Sequence, residues 1–314
     1  MAKKVKKTLP WFLILALMAV TIGAGSGFSA LKVRADVETP STSGVVGNVA
    51  PSVSGVNLTD ADGGDIGLTE NTTTTVYCTS TITDENGGAD ISSCTAVIYR
   101  SGVGADCTAD NNNCYLVSSA NCTLGSAVGN DKNATATADI YFHADPTDTG
   151  SYATAQGWAG QTWQCQLKGI DAANASSTAT DSVPPEITTL TALNADSSIT
   201  YDALNPGQNM ASTTVALNAT TTGNVPIDVE LKGNNMISGV NSIAVGNQRY
   251  ATSTVAFASG VPLTDTYTAL EVDMPKPTTS PSNSTDVIYW GWAVPSGTPA
   301  GTYTGTNYLN AIQD

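Results

Sequence analysis

Val76-Tyr77-Cys78-Thr79-Ser80-Thr81-Ile82 puts Val76, Cys78 and Ile82 on one face of an extended strand, because side chains alternate across a strand with period two. Trp163-Gln164-Cys165-Gln166-Leu167 does the same for Trp163, Cys165 and Leu167. Two thiols that both turn toward a core, on separate strands, suit a bridge between the two sheets of a β-sandwich. The other cysteines are Cys94, Cys107, Cys114 and Cys122, and none follows Cys165. An even count in an exported chain reads as three disulfides. The metal-binding alternative needs CxxC pairs or Cys/His spacing, and the sequence has neither. Cys107 and Cys114 flank the loop Asp110-Asn111-Asn112-Asn113 and would clip it locally, which leaves Cys94 with Cys122 by elimination.

Short β-prone runs of this kind recur along the chain. Those before residue 183 are 73–82, 94–99, 134–142 and 162–170, separated by turn signals such as Asp84-Glu85-Asn86-Gly87-Gly88. Later runs are 187–193, 198–204, 213–219, 226–231, 249–257, 269–274, 287–294 and 302–309. Ile227, Val229 and Leu231 alternate with Asp228, Glu230 and Lys232, the pattern of a half-buried strand with one wet face. Val183-Pro184-Pro185-Glu186 reads as a stiff hinge, since consecutive prolines fix φ. Helical periodicity is absent beyond the N-terminal 35 residues. The expected fold is all-β: two tandem Ig-like β-sandwiches, disulfide-bonded over 50–182 and cysteine-free over 187–314.

Of 314 residues, 12 are Lys or Arg and 27 are Asp or Glu, a formal charge of −15. Residues 1–35 hold six of the bases and no acid, so the remainder has 6 bases against 27 acids, or −21. Such a chain repels phosphate backbones, which excludes nucleic acid as a partner. Lys3, Lys4, Lys6 and Lys7 precede an apolar run over 11–24, and Val33-Arg34-Ala35 offers a small-x-small cleavage site before Asp36. Residues 1–35 therefore read as a signal peptide. The run over 11–30 is also about long enough for an uncleaved anchor, although glycines and serines over 23–29 dilute it and favour cleavage. Either way the acidic part is expected to be secreted or at the cell surface, touching a membrane only through that segment. Residues 36–49 form a Thr/Ser/Pro-rich linker. The valines of 36–53 (Val45, Val46, Val49, Val53) allow a second reading, a strand donated to a neighbouring copy, with a plain tether favoured.

No enzyme is expected. GxSxG, HExxH, P-loop and GxGxxG patterns are missing. His143 is the chain's single His, at a strand end entering a turn in Phe142-His143-Ala144-Asp145-Pro146, where a carboxylate-bonded structural role is expected. One cofactor has oxygen ligands to offer: Asp60, Asp62, Asp65 and Glu70 surround a glycine turn and suit Ca²⁺, although the spacing is not that of an EF-hand. Asp84, Glu85, Asn86 and Asp90 make a looser cluster. An exposed row of Tyr289, Trp290, Trp292, Tyr303 and Tyr308 could stack on sugars, but Ile288, Trp290, Trp292 and Val294 share one strand face, as a core would.

Several stretches resemble uncharacterised exported proteins of uncultured, small-genome bacteria of the candidate phyla radiation. They are Thr83-Asp84-Glu85-Asn86-Gly87, Ala96-Val97-Ile98-Tyr99-Arg100, Asp110-Asn111-Asn112-Asn113-Cys114-Tyr115, Ala144-Asp145-Pro146-Thr147-Asp148, Gly223-Asn224-Val225-Pro226-Ile227 and Pro299-Ala300-Gly301-Thr302-Tyr303. The resemblance implies Ig-like sandwiches outside the cell and brings no activity or catalytic residues with it. Two function classes follow. One is a structural or adhesive surface protein (stalk, surface-layer element or filament subunit) whose partner is a cell-surface component, a neighbouring cell or copies of itself. The other is an extracellular module binding glycans or Ca²⁺-dependent ligands. Burial of Trp290 and Trp292 would favour the first.

Overall fold

A computed structural model describes residues 39–280 and 284–314. The expected signal peptide over 1–35 and the first residues of the expected linker lie outside the described residues. Among the described residues, eight antiparallel strands build the first sandwich. They are β1 (Ser52–Thr59), β2 (Thr73–Thr83), β3 (Ile91–Arg100), β4 (Cys114–Val117), β5 (Cys122–Leu124), β6 (Asp131–Tyr141), β7 (Trp163–Asp171) and β8 (Ser176–Thr180). A short helix, α1 (Ser151–Ala155), joins β6 to β7. The sheets run β1-β2-β6-β5 and β4-β3-β7-β8, the order that immunoglobulin-type sandwiches use.

Period-two alternation explains the packing. In β2 the inward positions Val76, Cys78 and Ile82 are fully buried, and in β7 Trp163, Cys165 and Leu167 are as well. Burying side chains of this size contributes roughly 1.5–3 kcal/mol each. Cys78 and Cys165 are bridged with Cα atoms 6.2 Å apart, from the second strand of one sheet to the third of the other. Cys94–Cys122 is a second bridge between the sheets, and Cys107–Cys114 closes the loop before β4. These are the pairs that strand parity, spacing and elimination assign. No cysteine is free, and the three bridges fit an extracellular protein.

The second sandwich contains β9 (Leu193–Ala195), β10 (Val215–Thr221), β11 (Ile227–Gly233), β12 (Met236–Ser238), β13 (Asn241–Ile243), β14 (Gln248–Ala251), β15 (Val261–Pro262), β16 (Thr268–Met274), β17 (Thr285–Trp292) and β18 (Asn307–Gln313). A sheet ordered β15-β14-β17-β10-β9 packs over one ordered β16-β11-β18, with β12 and β13 as a separate hairpin. Trp290, Tyr250, Leu217 and Ile288 form its centre. Trp292 is half-buried, stacked on Tyr201 at 5.5 Å and donating its indole N–H to the Asp202 carbonyl. Of the aromatic row, Trp290 is core, Tyr289, Trp292 and Tyr303 are half-buried, and Tyr308 is exposed, so the five rings do not form one exposed platform.

Some expectations need correction. The run 198–204 joins no ladder; Tyr201 packs its ring on Trp292 and donates its hydroxyl to Gln248 instead. The last strand starts at Asn307, five residues later than expected, and its Tyr308–Ile312 stretch pairs with β11. The Pro-Pro segment, expected as a stiff hinge, is in addition tied into the first sandwich. Trp163 N–H donates to the Pro185 carbonyl, Ile66 N–H to the Glu186 carbonyl, and Ile187 is fully buried in the first core.

Candidate functional site: the junction of the sandwiches

The two sandwiches meet at the end of the first where β3 and β6 finish and β7 begins. Arg100 closes β3, and the chain leaving β6 runs through His143 and Asp145. Asp145 is buried, and its main chain is fixed at both ends: its N–H donates to the Asn112 carbonyl at 2.8 Å, and its carbonyl accepts the Trp163 indole N–H at 3.0 Å. Its carboxylate then receives one cation from each sandwich. Arg100 Nε lies 3.3 Å from Oδ2, and Lys276 Nζ, just past β16, lies 3.0 Å from Oδ1. A buried carboxylate tolerates burial when it is paired and hydrogen-bonded on both oxygens. The Arg100 guanidinium also lies over the Trp158 ring, 4.8 Å from its centroid.

Asn112 completes the contact. Lys276 donates to its Oδ1 at 3.0 Å, and its Nδ2 donates to the Thr278 carbonyl at 3.0 Å and to Asp110 Oδ1 at 2.9 Å. The Cys107–Cys114 bridge holds this loop in place, together with hydrogen bonds from Cys114 N–H and Asn113 N–H to the Asp110 carbonyl. Burial alone would raise the Asp110 carboxyl, but hydrogen bonds from Asn112 and the positive charge of Lys276 hold it below the ordinary value. Burial lowers Lys276, and Asp145 only partly offsets that.

His143 belongs to the same network. Its ring is buried, with Nδ1 3.3 Å from Asn112 Oδ1, stacked on Tyr141 and edge-on to Phe142. Burial, reinforced by the Lys276 charge, lowers its pKa to about 4. The ring is neutral at physiological pH and its partner is an amide, not the turn carboxylate expected from the sequence.

The connector supplies the other half of the junction. Asp148 accepts from Thr189 N–H and Oγ1, each at 2.7 Å. Asn224 of the second sandwich receives Leu190 N–H at 2.7 Å and donates to the Thr188 carbonyl at 3.0 Å. Gly223 is required here, because a Cβ at that position would collide with the Leu190 carbonyl oxygen.

The sequence-predicted calcium ligands do not come together. Asp60 accepts backbone N–H groups from Asp62 and Gly63 at 3.0 Å and from Gly67 at 3.3 Å, and Asp65 accepts Glu186 N–H at 2.9 Å. Asp62 and Glu70 are exposed. These acids shape a turn and tie down the connector, as Asp does in turns generally. The three-carboxylate groups among the described residues are instead Asp84, Asp90, Asp171 and Asp228, Glu271, Asp273.

No family model and no curated protein matches the chain. Among solved structures, dimeric latent PorU from Porphyromonas gingivalis is similar to it at TM-score 0.26 and 13% identity. That alignment covers 85% of this chain and 20% of the PorU chain. A likeness of that depth carries no functional argument.

Proposed function

We propose that the chain is a non-enzymatic structural element of the cell exterior, two β-sandwiches locked end to end as a rigid spacer. The observation that supports it is Asp145, buried between Arg100 of one sandwich and Lys276 of the other. Domains that flex about a linker meet through small, wet contacts. This junction instead buries charge and stitches both the connector and the clipped loop to the neighbouring sandwich. The chain's single His supports the non-enzymatic reading, since it is held neutral with its Nε2 buried. A general base needs a reachable proton acceptor with a pKa near the working pH. The partner is a component of the cell exterior or further copies of the chain. Immunolabelling of intact cells combined with negative-stain imaging of the purified exported chain tests this. Surface label and particles of one uniform elongated outline are expected. Label confined to permeabilised cells, or particles with two lobes at variable angles, would overturn it.

A further inference from the structure

The end of the first sandwich away from the junction gathers acid. Asp84 follows β2, Asp90 precedes β3 and Asp171 closes β7. The pairing of Ile91 with Asp171, and of Thr83 with both Ser52 and Asp131, brings them to one pole. Gly87, at φ 109°, allows the turn between the first two. One carboxylate oxygen of each residue lies within 4.8 Å of those of the other two. Asp84 and Asp171 are fully buried, and Asp90 is half-buried.

Among the described residues, none of these carboxylates forms an ion pair. The two ion pairs among the described residues both go to Asp145 at the opposite end. Lys132, whose strand position faces Ile82, gives its ammonium to the Ile91 carbonyl at 2.7 Å. Asp171 accepts from Ala175 N–H and from the Asn48 amide, each at 2.8 Å. Asp84 Oδ1 accepts Asn86 N–H at 2.8 Å, but its Oδ2 is buried with no hydrogen-bond partner. Buried anions of this kind are stable when they are paired or coordinate a metal. Clustered acids alone would be ordinary turn chemistry; a fully buried carboxylate with an unpartnered oxygen is not.

We propose that Asp84, Asp90 and Asp171 bind Ca²⁺. The donors are all oxygen, without His or Cys, which selects a hard divalent cation over zinc or copper. They come from a loop and two strand ends, and Ca²⁺ accepts irregular sets of about six to eight oxygens, whereas Mg²⁺ demands a near-ideal octahedron. The site also acts on the linker. Asn48 bonds Asp171, Val49 N–H donates to Asn86 Oδ1 at 2.8 Å, and Asn86 Nδ2 donates to the Gly47 carbonyl at 3.1 Å. An ion on the three aspartates would therefore also order residues 47–49 against the sandwich.

Calorimetric titration of the metal-stripped exported chain with CaCl₂, and separately with MgCl₂, tests this alongside melting temperatures. One Ca²⁺ per chain and a higher Tm are expected, with Mg²⁺ at least roughly tenfold weaker. Asp84→Asn and Asp90→Asn should each weaken Ca²⁺ by roughly tenfold or more, while Asp62→Ala retains wild-type binding. Asp90 is half-buried, so its variant keeps the test decisive if Asp84→Asn fails to fold. No heat and no Tm shift at about 10 mM CaCl₂, binding that survives both substitutions, equal binding of Mg²⁺, or loss of binding in Asp62→Ala would each overturn the site.

Discussion

Lys276 Nζ lies 3.0 Å from Asp145 Oδ1, with side chains only 6% and 4% exposed, and joins positions 131 residues apart across the boundary between two sandwiches. Arg100 shares the same carboxylate, so the three groups behave unequally when one is removed. Asp145→Ala leaves two buried cations facing each other and is expected to cost about 3–5 kcal/mol. Lys276→Met leaves Asp145 paired with Arg100 and should cost about 1–3 kcal/mol. Urea unfolding of the two variants measures this. Equal costs would mean that Lys276 and Arg100 do not share one carboxylate.

Acid should weaken the fold through His143. Its pKa is about 4 in the folded chain, against 6.5 for an ordinary His. Between those values the unfolded state holds the extra proton, so stability is intact above about pH 6.5 and falls as pH drops toward 4. The expected slope near pH 5.5 is about 1 kcal/mol per pH unit. His143→Gln should flatten the curve between pH 5 and 6.5, where aspartates contribute little. An unchanged slope in that variant would place the titration elsewhere.

Gly223→Ala is a test of close approach. The added methyl meets a backbone carbonyl, Leu190, that cannot rotate away. Overpacking of this kind typically costs about 1–3 kcal/mol. The same change at Gly239, where no atom lies within 4 Å of a Cβ but φ is 58°, separates steric collision from backbone strain. The Gly223 variant should expose the connector to proteolysis, and the Gly239 variant should not.

The Cys107–Cys114 bridge matters for the junction more than for the core. Replacing both by Ser removes a short loop closure of about 2 kcal/mol and frees the loop that presents Asn112. NMR titration should then show the His143 pKa rising toward 6.5. Loss of Cys78–Cys165 instead strikes the first core, at about 2–5 kcal/mol, and should leave that pKa change secondary to global unfolding.

The sandwiches were legible because local alternation carries them. Val76, Cys78 and Ile82 announce an inward face, as do Ile227, Val229 and Leu231. Strand β1 was not, since Ser52–Thr59 is polar and interrupted by Gly55 at φ 61°, where the register with β2 shifts. Strands of three or four residues, such as β4 and β5, are shorter than any period can reveal. Asp228 broke the expected wet face because its carboxylate caps the N–H groups of Val272 and Asp273 at a bulge. The junction had no local signal at all. Lys276 is an unremarkable lysine between two prolines, and only tertiary folding delivers it to Asp145. The acid pole was half visible: Asp84 and Asp90 stood out as a turn cluster, but Asp171 is remote in sequence and reaches them only because β7 pairs with β3.

The most direct test of a rigid junction is small-angle X-ray scattering of the exported chain, with Asp145→Ala at its side. Wild type should fit a single arrangement of the two sandwiches, with a radius of gyration unchanged between low and high salt, because a buried pair is screened little. Asp145→Ala should need an ensemble of angles and show a larger maximum dimension. A wild-type curve that itself requires an ensemble, indistinguishable from that of Asp145→Ala, would contradict the account.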